Sequence, residues 1–213
     1  MRTQYKEELF QKMPVIGILR NFSLTEIEAI LPYYKKAGFT MLEVTMNSKK
    51  VIEIISHLAN NNPDLNIGAG TVCNMEDLMA AIQAGASFIV TPIMDVNVMH
   101  YCKEHKIPVF PGAFTPSEIF NAAQLGATAV KIFPATALGP VYVKDVLAPM
   151  STLKILPTGG VSIDNIESYF KAGAIGVGMG GSLFDEKMIA NKDYGSLYHH
   201  FVTVCELVTK ARI

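Results

Sequence analysis

The 213-residue sequence has little charge and no long apolar run, and each shortage argues against a class of protein. Only 17% of the residues are charged and the formal net charge is −1, with no basic stripe, so we expect no nucleic-acid partner. No apolar run approaches the length of a membrane span, and residues 1–13 are polar and amphipathic, unlike a secretory signal. We therefore expect no membrane association.

Cysteine is also scarce: Cys73, Cys102 and Cys205 are scattered without the spacing of a metal site. Their odd number, with no secretory signal, predicts a reducing, cytoplasmic setting. The histidines fall in helical patterns rather than at strand ends, and the adjacent His199 and His200 would not share a helix face. The sequence therefore predicts no catalytic metal.

The sequence contains an internal repeat. Apolar residues make up 50% of the chain, and many of them fall in this repeat. In four segments a helical pattern ends at a glycine and runs into apolar residues: 35–44, 82–91, 123–132 and 170–179. The glycines are Gly38, Gly85, Gly126 and Gly173. Because glycine suits the left-handed position just past a helix, we expect a helix end and a following strand at each.

Further strand-like runs lie between and before the repeats, at 15–19, 65–68, 107–112 and 154–157. Together these make eight strands that alternate with amphipathic helical patterns. Alternation implies parallel strands, and eight such units close naturally into a (β/α)8 or TIM barrel. We predict one compact α/β barrel domain over 1–213, with an extra amino-terminal helix in 1–13. A doubly wound open sheet is the alternative.

Two ionisable residues fall where a barrel interior should be apolar. The alternation in "MLEVTMN" (41–47) turns Glu43 inward, and the alternation in "TAVKIFP" (128–134) turns Lys131 into the same cavity. A structural ion pair is one interpretation, but buried pairs often lose more in desolvation than they regain. Since barrel active sites lie at the carboxyl ends of the strands, we interpret both residues as functional.

Their chemistry follows from burial. Desolvation lowers the pKa of a lysine and frees its amine to form a Schiff base with a ketone or aldehyde. A neighbouring carboxylate can move the protons that this reaction requires. A negative Glu43 would raise the pKa of Lys131, and we expect desolvation to outweigh it.

Glycine-rich loops follow the last two strands, in "LPTGGVSIDN" (156–165) and "GMGGSLF" (178–184). The loops after strands seven and eight are the usual phosphate site of a TIM barrel. The predicted cradle consists of Gly159, Gly160, Gly180, Gly181 and Ser182. Simple tight turns are the alternative.

Two further polar residues come just past strands at the same end. Thr71 in "IGAGTV" is brought toward the barrel mouth, with an ordinary turn as the alternative. Arg20 in "GILRNF" is available for a carboxylate or a phosphate, with surface solvation as the alternative.

Taken in order, the motifs resemble the aldolases that cleave 2-keto-3-deoxy-6-phosphogluconate (KDPG) and 4-hydroxy-2-oxoglutarate (KHG). They are "LEVTMN", "GAGTV", "VTP", "FPGAFTPSE", "VKIFPA", "GPVYVK", "LPTGGV" and "VGMGGSLF", which span nearly the whole chain. The resemblance implies a metal-independent Schiff-base aldolase without a cofactor, built on a compact (β/α)8 barrel and commonly a homotrimer. Its substrate would be a small phosphorylated keto acid.

The resemblance also implies individual roles. Lys131 would form the imine and Glu43 would be the general acid and base. Arg20 and Thr71 would position the pyruvate half, and the loops at 159–160 and 181–182 would hold the phosphate. Four further positions are substrate-binding candidates: Asn47, Pro92, Phe133 and Thr158.

One departure from the family pattern leaves the C4 stereochemistry open. Many gluconate-type members carry arginine four residues after the glutamate, where this chain has Asn47 in "MNS", a form similar to aldolases for the galactonate epimer. Thr158 in "PTGG" is, in contrast, similar to the gluconate type. Without that arginine, Arg20 would carry more of the carboxylate binding.

Two rival functions remain at this point. A sugar-phosphate isomerase or epimerase would also use a phosphate-binding barrel, but it would not need the lysine of the sixth strand. A catalytically silent phosphosugar sensor would bind without turnover, and the set of Lys131, Glu43 and Thr71 argues against it.

Overall fold

A computed structural model of the protein describes residues 4–212, so residues 1–3 of the predicted amino-terminal extension and Ile213 lie outside it. Within these bounds the chain alternates nine short strands with ten α-helices. The strands are β1 (Val15–Leu19), β2 (Met41–Thr45), β3 (Asn66–Gly70), β4 (Phe88–Val90), β5 (Val109–Phe110), β6 (Gly112–Ala113), β7 (Val130–Ile132), β8 (Ile155–Pro157) and β9 (Val177–Met179).

Helices follow nearly every strand and cover the outside of the sheet. They are α1 (Glu7–Lys12), α2 (Leu24–Ala37), α3 (Val51–Asn61), α4 (Met75–Gln83), α5 (Val96–Glu104), α6 (Pro116–Gln124), α7 (Gly139–Leu147), α8 (Ile166–Lys171), α9 (Glu186–Ala190) and α10 (Tyr194–Ala211). A 3-10 turn at Ala135–Ala137 precedes α7. None of the helices in residues 4–212 is both long and apolar enough to cross a bilayer.

The strands pair in parallel and curl into a barrel. One sheet has the order β5-β4-β3-β2-β1-β9 and the other β6-β7-β8. The chain itself joins the two sheets, because β5 and β6 are halves of one strand interrupted at Pro111, and proline cannot donate to a ladder. A bridge between Thr158 and Gly178 joins β8 to β9 and closes the ring. The predicted eight-stranded barrel is confirmed, and the open doubly wound sheet is excluded.

The four repeat glycines mark the return from the helix layer to the sheet. Gly38, Gly85, Gly126 and Gly173 all follow helices and have φ between 98° and 109°. A side chain in this left-handed region would cost roughly 1 kcal/mol. The prediction of a helix end at each of them is confirmed.

Two apolar layers make up the core, as strand alternation requires. The outer layer lies between strands and helices and includes Leu42, Val44, Val130 and Ile132, the outward-facing residues of β2 and β7. A separate inner cluster fills the barrel axis. It consists of Phe10, Ile16, Met41, Phe88, Val90, Phe110, Ala129 and Leu156.

The predicted amino-terminal helix is present as α1, and it closes the lower end of the barrel. Phe10 of α1 inserts into the inner cluster with its ring 5.8 Å from that of Phe110. The helix is held at the amino-terminal ends of strands, because Thr40 donates to the Leu9 carbonyl and the Asn66 side chain bonds the backbone of Lys6. The carboxyl ends of the strands remain open to solvent.

Candidate active site

A cavity of about 720 Å³ opens at the carboxyl ends of the strands. Its lining includes most of the residues that the sequence singled out: Arg20, Glu43, Lys131, Phe133, Thr158, Gly159, Gly160, Gly180, Gly181 and Ser182. Strand ends that are far apart in sequence therefore meet at one mouth. The lining also includes Glu26 and Glu186, which no sequence motif marked as site residues.

Asn47, Thr71 and Pro92 follow β2, β3 and β4 at the same end of the barrel, but they are not part of this lining. Asn47 is exposed, whereas Thr71 and Pro92 are half-buried. Thr71 has φ 57°, a left-handed conformation that is strained for a β-branched residue. Their substrate-binding roles stay predictions.

Glu43 and Lys131 project into the barrel from strands in different sheets. Glu43 lies in β2 opposite Ile18 and Gly68, and Lys131 lies in β7 opposite Gly112 and Leu156. Both are buried, with relative exposures of 1% and 5%. The ion pairs of residues 4–212 do not include Glu43 with Lys131, so the structural pair considered above is not formed.

Burial sets the electrostatics of both groups. Desolvation lowers the pKa of Lys131, Glu43 opposes that shift, and the nearby Arg20 guanidinium adds to it. Desolvation also raises the pKa of Glu43 to about 7 against the pull of Lys131 and Arg20. The expectation that desolvation outweighs the attraction between the two groups is confirmed.

Several polar atoms in the cavity have no partner among the described residues. Glu43 Oε2 and Thr158 Oγ1 are buried without a hydrogen bond. The Lys131 ammonium nitrogen lies 4.6 Å from the centroid of the Phe133 ring, an aromatic face rather than an acceptor. A buried polar atom without a partner costs roughly 1–3 kcal/mol, so stability does not explain this arrangement. Active sites are where proteins retain such groups.

Glycines make room for the inward-facing polar side chains. A Cβ atom on Gly70 of β3 would lie 2.2 Å from Glu43 Oε1, because the carboxylate leans across that strand. A Cβ atom on Gly178 of β9 would lie 2.4 Å from Thr158 Oγ1. The spaces that hold Glu43 and Thr158 therefore depend on glycines in the neighbouring strands.

A hydrogen-bonded chain fixes the loop that carries Arg20. Asn21 has φ 62°, and its N–H donates to Ser48 Oγ over 2.9 Å. Ser48 Oγ lies 2.9 Å from Thr45 Oγ1, which is fully buried in β2. Sequence reasoning missed Ser48, although an inward threonine that needs a partner was a signal that could have found it.

The two glycine loops present unpaired donors at the other side of the cavity. Gly159 and Gly160 have φ 88° and 76°, which turns the chain sharply after β8. The N–H groups of Gly160, Gly181 and Ser182 donate to no acceptor within residues 4–212. Convergent backbone donors of this kind suit a phosphate.

No three His, Cys, Asp or Glu side chains in residues 4–212 group closely enough to hold a metal ion. The cavity lining offers an amine, carboxyl groups, hydroxyl groups and backbone N–H groups.

Comparison with known proteins agrees with this geometry. The sequence model of the aldolase family described as "KDPG and KHG aldolase" matches residues 6–199. The chain belongs to the KDPG and KHG aldolase family. The fold and the inferred reaction class are those of this family.

Relatives of this aldolase include enzymes named for both C4 epimers. It is 35% identical to the 2-dehydro-3-deoxy-phosphogluconate aldolase of Haemophilus influenzae, over 86% of this chain and 88% of the relative. It is also 35% identical to the 2-dehydro-3-deoxy-6-phosphogalactonate aldolase of Escherichia coli, over 81% and 85% of the two chains. These identities do not separate the gluconate from the galactonate substrate.

One solved structure adds information about the chemistry of a relative. A KDPG aldolase from Legionella pneumophila, described with pyruvate captured as a covalent carbinolamine intermediate, superposes with a TM-score of 0.85 at 28% identity. The match covers 92% of this aldolase and 96% of that chain.

Replacing Glu43 by glutamine is expected to stabilise the aldolase at high pH but not at low pH. The pKa of Glu43 is raised from 4.5 to about 7 in the folded protein, so its contribution to stability is greatest below pH 4.5 and is lost as the pH rises through 7. Above this window Glu43→Gln should gain roughly 3 kcal/mol in unfolding free energy. Denaturant unfolding across the window measures the difference.

Glu53→Gln is the matched control, because the Glu53 side chain on α3 is 73% exposed. Its unfolding free energy should stay within about 0.5 kcal/mol of the parent protein at every pH. A difference between Glu43→Gln and the parent that does not change with pH would show that the carboxyl group is not desolvated.

Proposed function

We propose that the protein cleaves 2-keto-3-deoxy-6-phosphogluconate to pyruvate and glyceraldehyde 3-phosphate through a Schiff base on Lys131. It would also cleave 4-hydroxy-2-oxoglutarate to pyruvate and glyoxylate. The observation that carries this proposal is the desolvated Lys131 amine sharing a cavity with Glu43 without an ion pair between them. The alternative substrate is the C4 epimer, 2-keto-3-deoxy-6-phosphogalactonate.

Lys131 is the proposed nucleophile. Its lowered pKa increases the fraction of neutral amine, whose lone pair attacks the C2 ketone carbon and forms the C–N bond. The resulting carbinolamine loses water to give an iminium. The iminium then accepts the electrons of the C3–C4 bond as that bond breaks.

Glu43 is the proposed proton carrier. It would give a proton to the departing water of the carbinolamine and take the proton of the C4 hydroxyl as the C3–C4 bond breaks. Glyceraldehyde 3-phosphate leaves, the enamine is protonated at C3, and hydrolysis of the iminium releases pyruvate. A pKa of about 7 suits a group that must both give and accept a proton near neutral pH.

The remaining side chains would bind and orient the substrate. Arg20 is exposed at the mouth and forms no hydrogen bond or ion pair within residues 4–212, so its guanidinium can bind the carboxylate. Phe133 forms an apolar wall beside the amine. Thr71, Asn47 and Pro92 belong to the proposal through the family resemblance.

The phosphate would bind at the opposite side of the cavity, in the loops of Gly159, Gly160, Gly180, Gly181 and Ser182. Unpaired N–H groups on both loops support this placement. Binding a remote phosphate there would hold the reacting carbons against the amine.

Thr158 is the proposed determinant of the preference between C4 epimers. Its hydroxyl is buried, lacks a protein partner and lines the same cavity as Lys131. A site built to bond a substrate hydroxyl discriminates against a substrate that leaves its own polar group unpaired. Because Thr158 in "PTGG" is similar to the gluconate type, we favour the gluconate epimer as the substrate.

The proposal also covers the domain organisation, the oligomeric state and the cellular location of the enzyme. We infer that residues 1–213 act as one barrel domain, that the enzyme is a homotrimer and that it works in the cytoplasm. The trimer is supported by the exposed large apolar side chains of residues 4–212, most of which lie between residues 93 and 141: Ile93, Val96, Phe114, Phe120 and Val141. Exposed apolar surface of this kind commonly marks an interface.

Borohydride reduction in the presence of pyruvate is expected to attach the keto acid covalently to Lys131, as located by peptide mapping. Lys131→Arg should abolish both the adduct and cleavage, because a guanidinium cannot form the imine. Lys154→Arg, at an exposed lysine just before β8, is the control and should behave as the parent protein. An adduct on another lysine, or none, contradicts the mechanism, and mild loss in Lys131→Arg points to an isomerase.

Thr158→Val is expected to shift the preference between the two C4 epimers toward the galactonate. It keeps the shape but removes the hydroxyl, so kcat/KM for the gluconate epimer should fall roughly 10-fold or more. The variant should also be slightly more stable, since an unpaired buried hydroxyl is gone. Thr158→Ser should retain the parent preference, and an unchanged ratio in Thr158→Val would exclude this role.

Val141→Asp is expected to dissociate the trimer, because it places a charge on a side chain that is 69% exposed and apolar. Light scattering after size exclusion should give a mass of 23.2 kDa for the variant and three times that for the parent. Ile52→Asp, on α3 and outside this stretch, should leave the mass unchanged. A parent protein with the mass of one chain would refute the assembly.

A further inference from the structure

His200 on α10 contacts the glycine-rich loop that follows β9. Its Nε2 atom lies 2.8 Å from the carbonyl oxygen of Ser182. A carbonyl can only accept, so Nε2 carries the hydrogen and His200 is the donor. The sequence pattern had placed all histidines in helices, away from the strand ends, and this contact joins one of them to the cavity loop.

The Ser182 loop has an internal anchor, the Gly180 carbonyl, which accepts from the N–H groups of Leu183 and Phe184. Around Gly180 and Gly181 themselves there are few neighbouring atoms. A Cβ atom on Gly181 would meet nothing within 4 Å, and one on Gly180 would meet only Ile18 at 3.8 Å. Glycine loses more backbone freedom on ordering than any other residue, so a loop of this composition is costly to fix. Ser182 is the residue of this loop whose hydrogen bonds reach other elements of the fold.

Ser182 is held on two sides. Its hydroxyl donates to the Val161 carbonyl over 2.5 Å, which joins this loop to the loop after β8. Its own carbonyl accepts from His200. With these bonds in place, the N–H groups of Gly181 and Ser182 keep no partner within residues 4–212, although they belong to the cavity lining.

His200 is itself rigidly supported. The next residue, Phe201, is fully buried, and its ring packs 5.8 Å from that of Phe184, two residues beyond Ser182. The ring of Phe201 also lies 5.6 Å from that of Tyr34 on α2. Helix α10 therefore provides a fixed point from which His200 can orient the loop.

We propose that His200 is a positioning residue for phosphate binding, which aims the Gly181 and Ser182 N–H groups by holding the Ser182 carbonyl. The inference rests on the proposed function, since it assigns the phosphate of the substrate to this loop. Donor groups at a binding site must be held within a fraction of an ångström to be effective. Losing the His200 bond therefore weakens binding of the phosphate end and not the reaction at Lys131.

His200→Ala is expected to raise KM for 2-keto-3-deoxy-6-phosphogluconate roughly three- to tenfold, with a smaller change in kcat. The inhibition constant of inorganic phosphate should rise by a similar factor. Cleavage of 4-hydroxy-2-oxoglutarate, which has no phosphate, should keep its parent kcat/KM. His200→Gln, whose amide N–H can reach the same carbonyl, should restore most of the phosphate affinity.

His199→Ala is the matched control, since His199 is exposed on the same helix and its ring forms no hydrogen bond or ion pair in the described chain. It should match the parent protein on both substrates. Equal losses on both substrates in His200→Ala, or no loss on either, would overturn the positioning role. So would a His200→Gln variant as impaired as His200→Ala.

A failure of this inference can be told from a failure of the proposed function. If the parent protein forms the pyruvate adduct but His200→Ala binds phosphate normally, only the positioning role is wrong. If the parent protein forms no adduct, the aldolase mechanism is wrong. Calorimetric titration with inorganic phosphate would then still decide the role of His200, because it requires no turnover.

Discussion

The exclusion of water from the Lys131 amine is the constraint on which the rest of the site depends. The apolar barrel axis is closed at its lower end by Phe10, and the amine and the Glu43 carboxyl lie in the cavity above it. Burial there makes the charged form of each group unfavourable. The same desolvation moves the two pKa values toward each other, down for the amine and up for the acid. One physical effect therefore prepares both the proposed nucleophile and the proposed proton carrier.

Stability and chemistry are separated along the barrel axis. At the amino-terminal ends of the strands, aromatic and aliphatic side chains of the inner cluster pack against α1. This end of the barrel therefore contributes to stability. Above, the cavity keeps buried polar atoms without partners, notably on Glu43 and Thr158. The folded core offsets the cost of these atoms, which is how a marginally stable domain can hold an active site.

The relatives are named for substrates that are C4 epimers, and in the proposed mechanism C4 belongs to the half of the substrate that leaves as the aldehyde. In this chain that half would meet Thr158 and the loop of Gly181 and Ser182. Thr158 is held in a space that exists because Gly178 has no side chain. The loop is held by α10 from outside the barrel through His200. In this proposal, substrate binding would depend on groups that support the cavity wall as much as on those that line it.

The sequence by itself determined the barrel and the inward-facing pair of Glu43 and Lys131. Strand alternation placed Glu43 and Lys131 inside, and glycines such as Gly38 marked the helix ends, because both features depend on local periodicity and backbone sterics. Tertiary structure alone decided that Glu26 and Glu186 also line the cavity, how Ser48 steadies the loop of Arg20, and that His200 reaches Ser182. Those contacts join residues distant in the chain, and no local pattern encodes the distance between them.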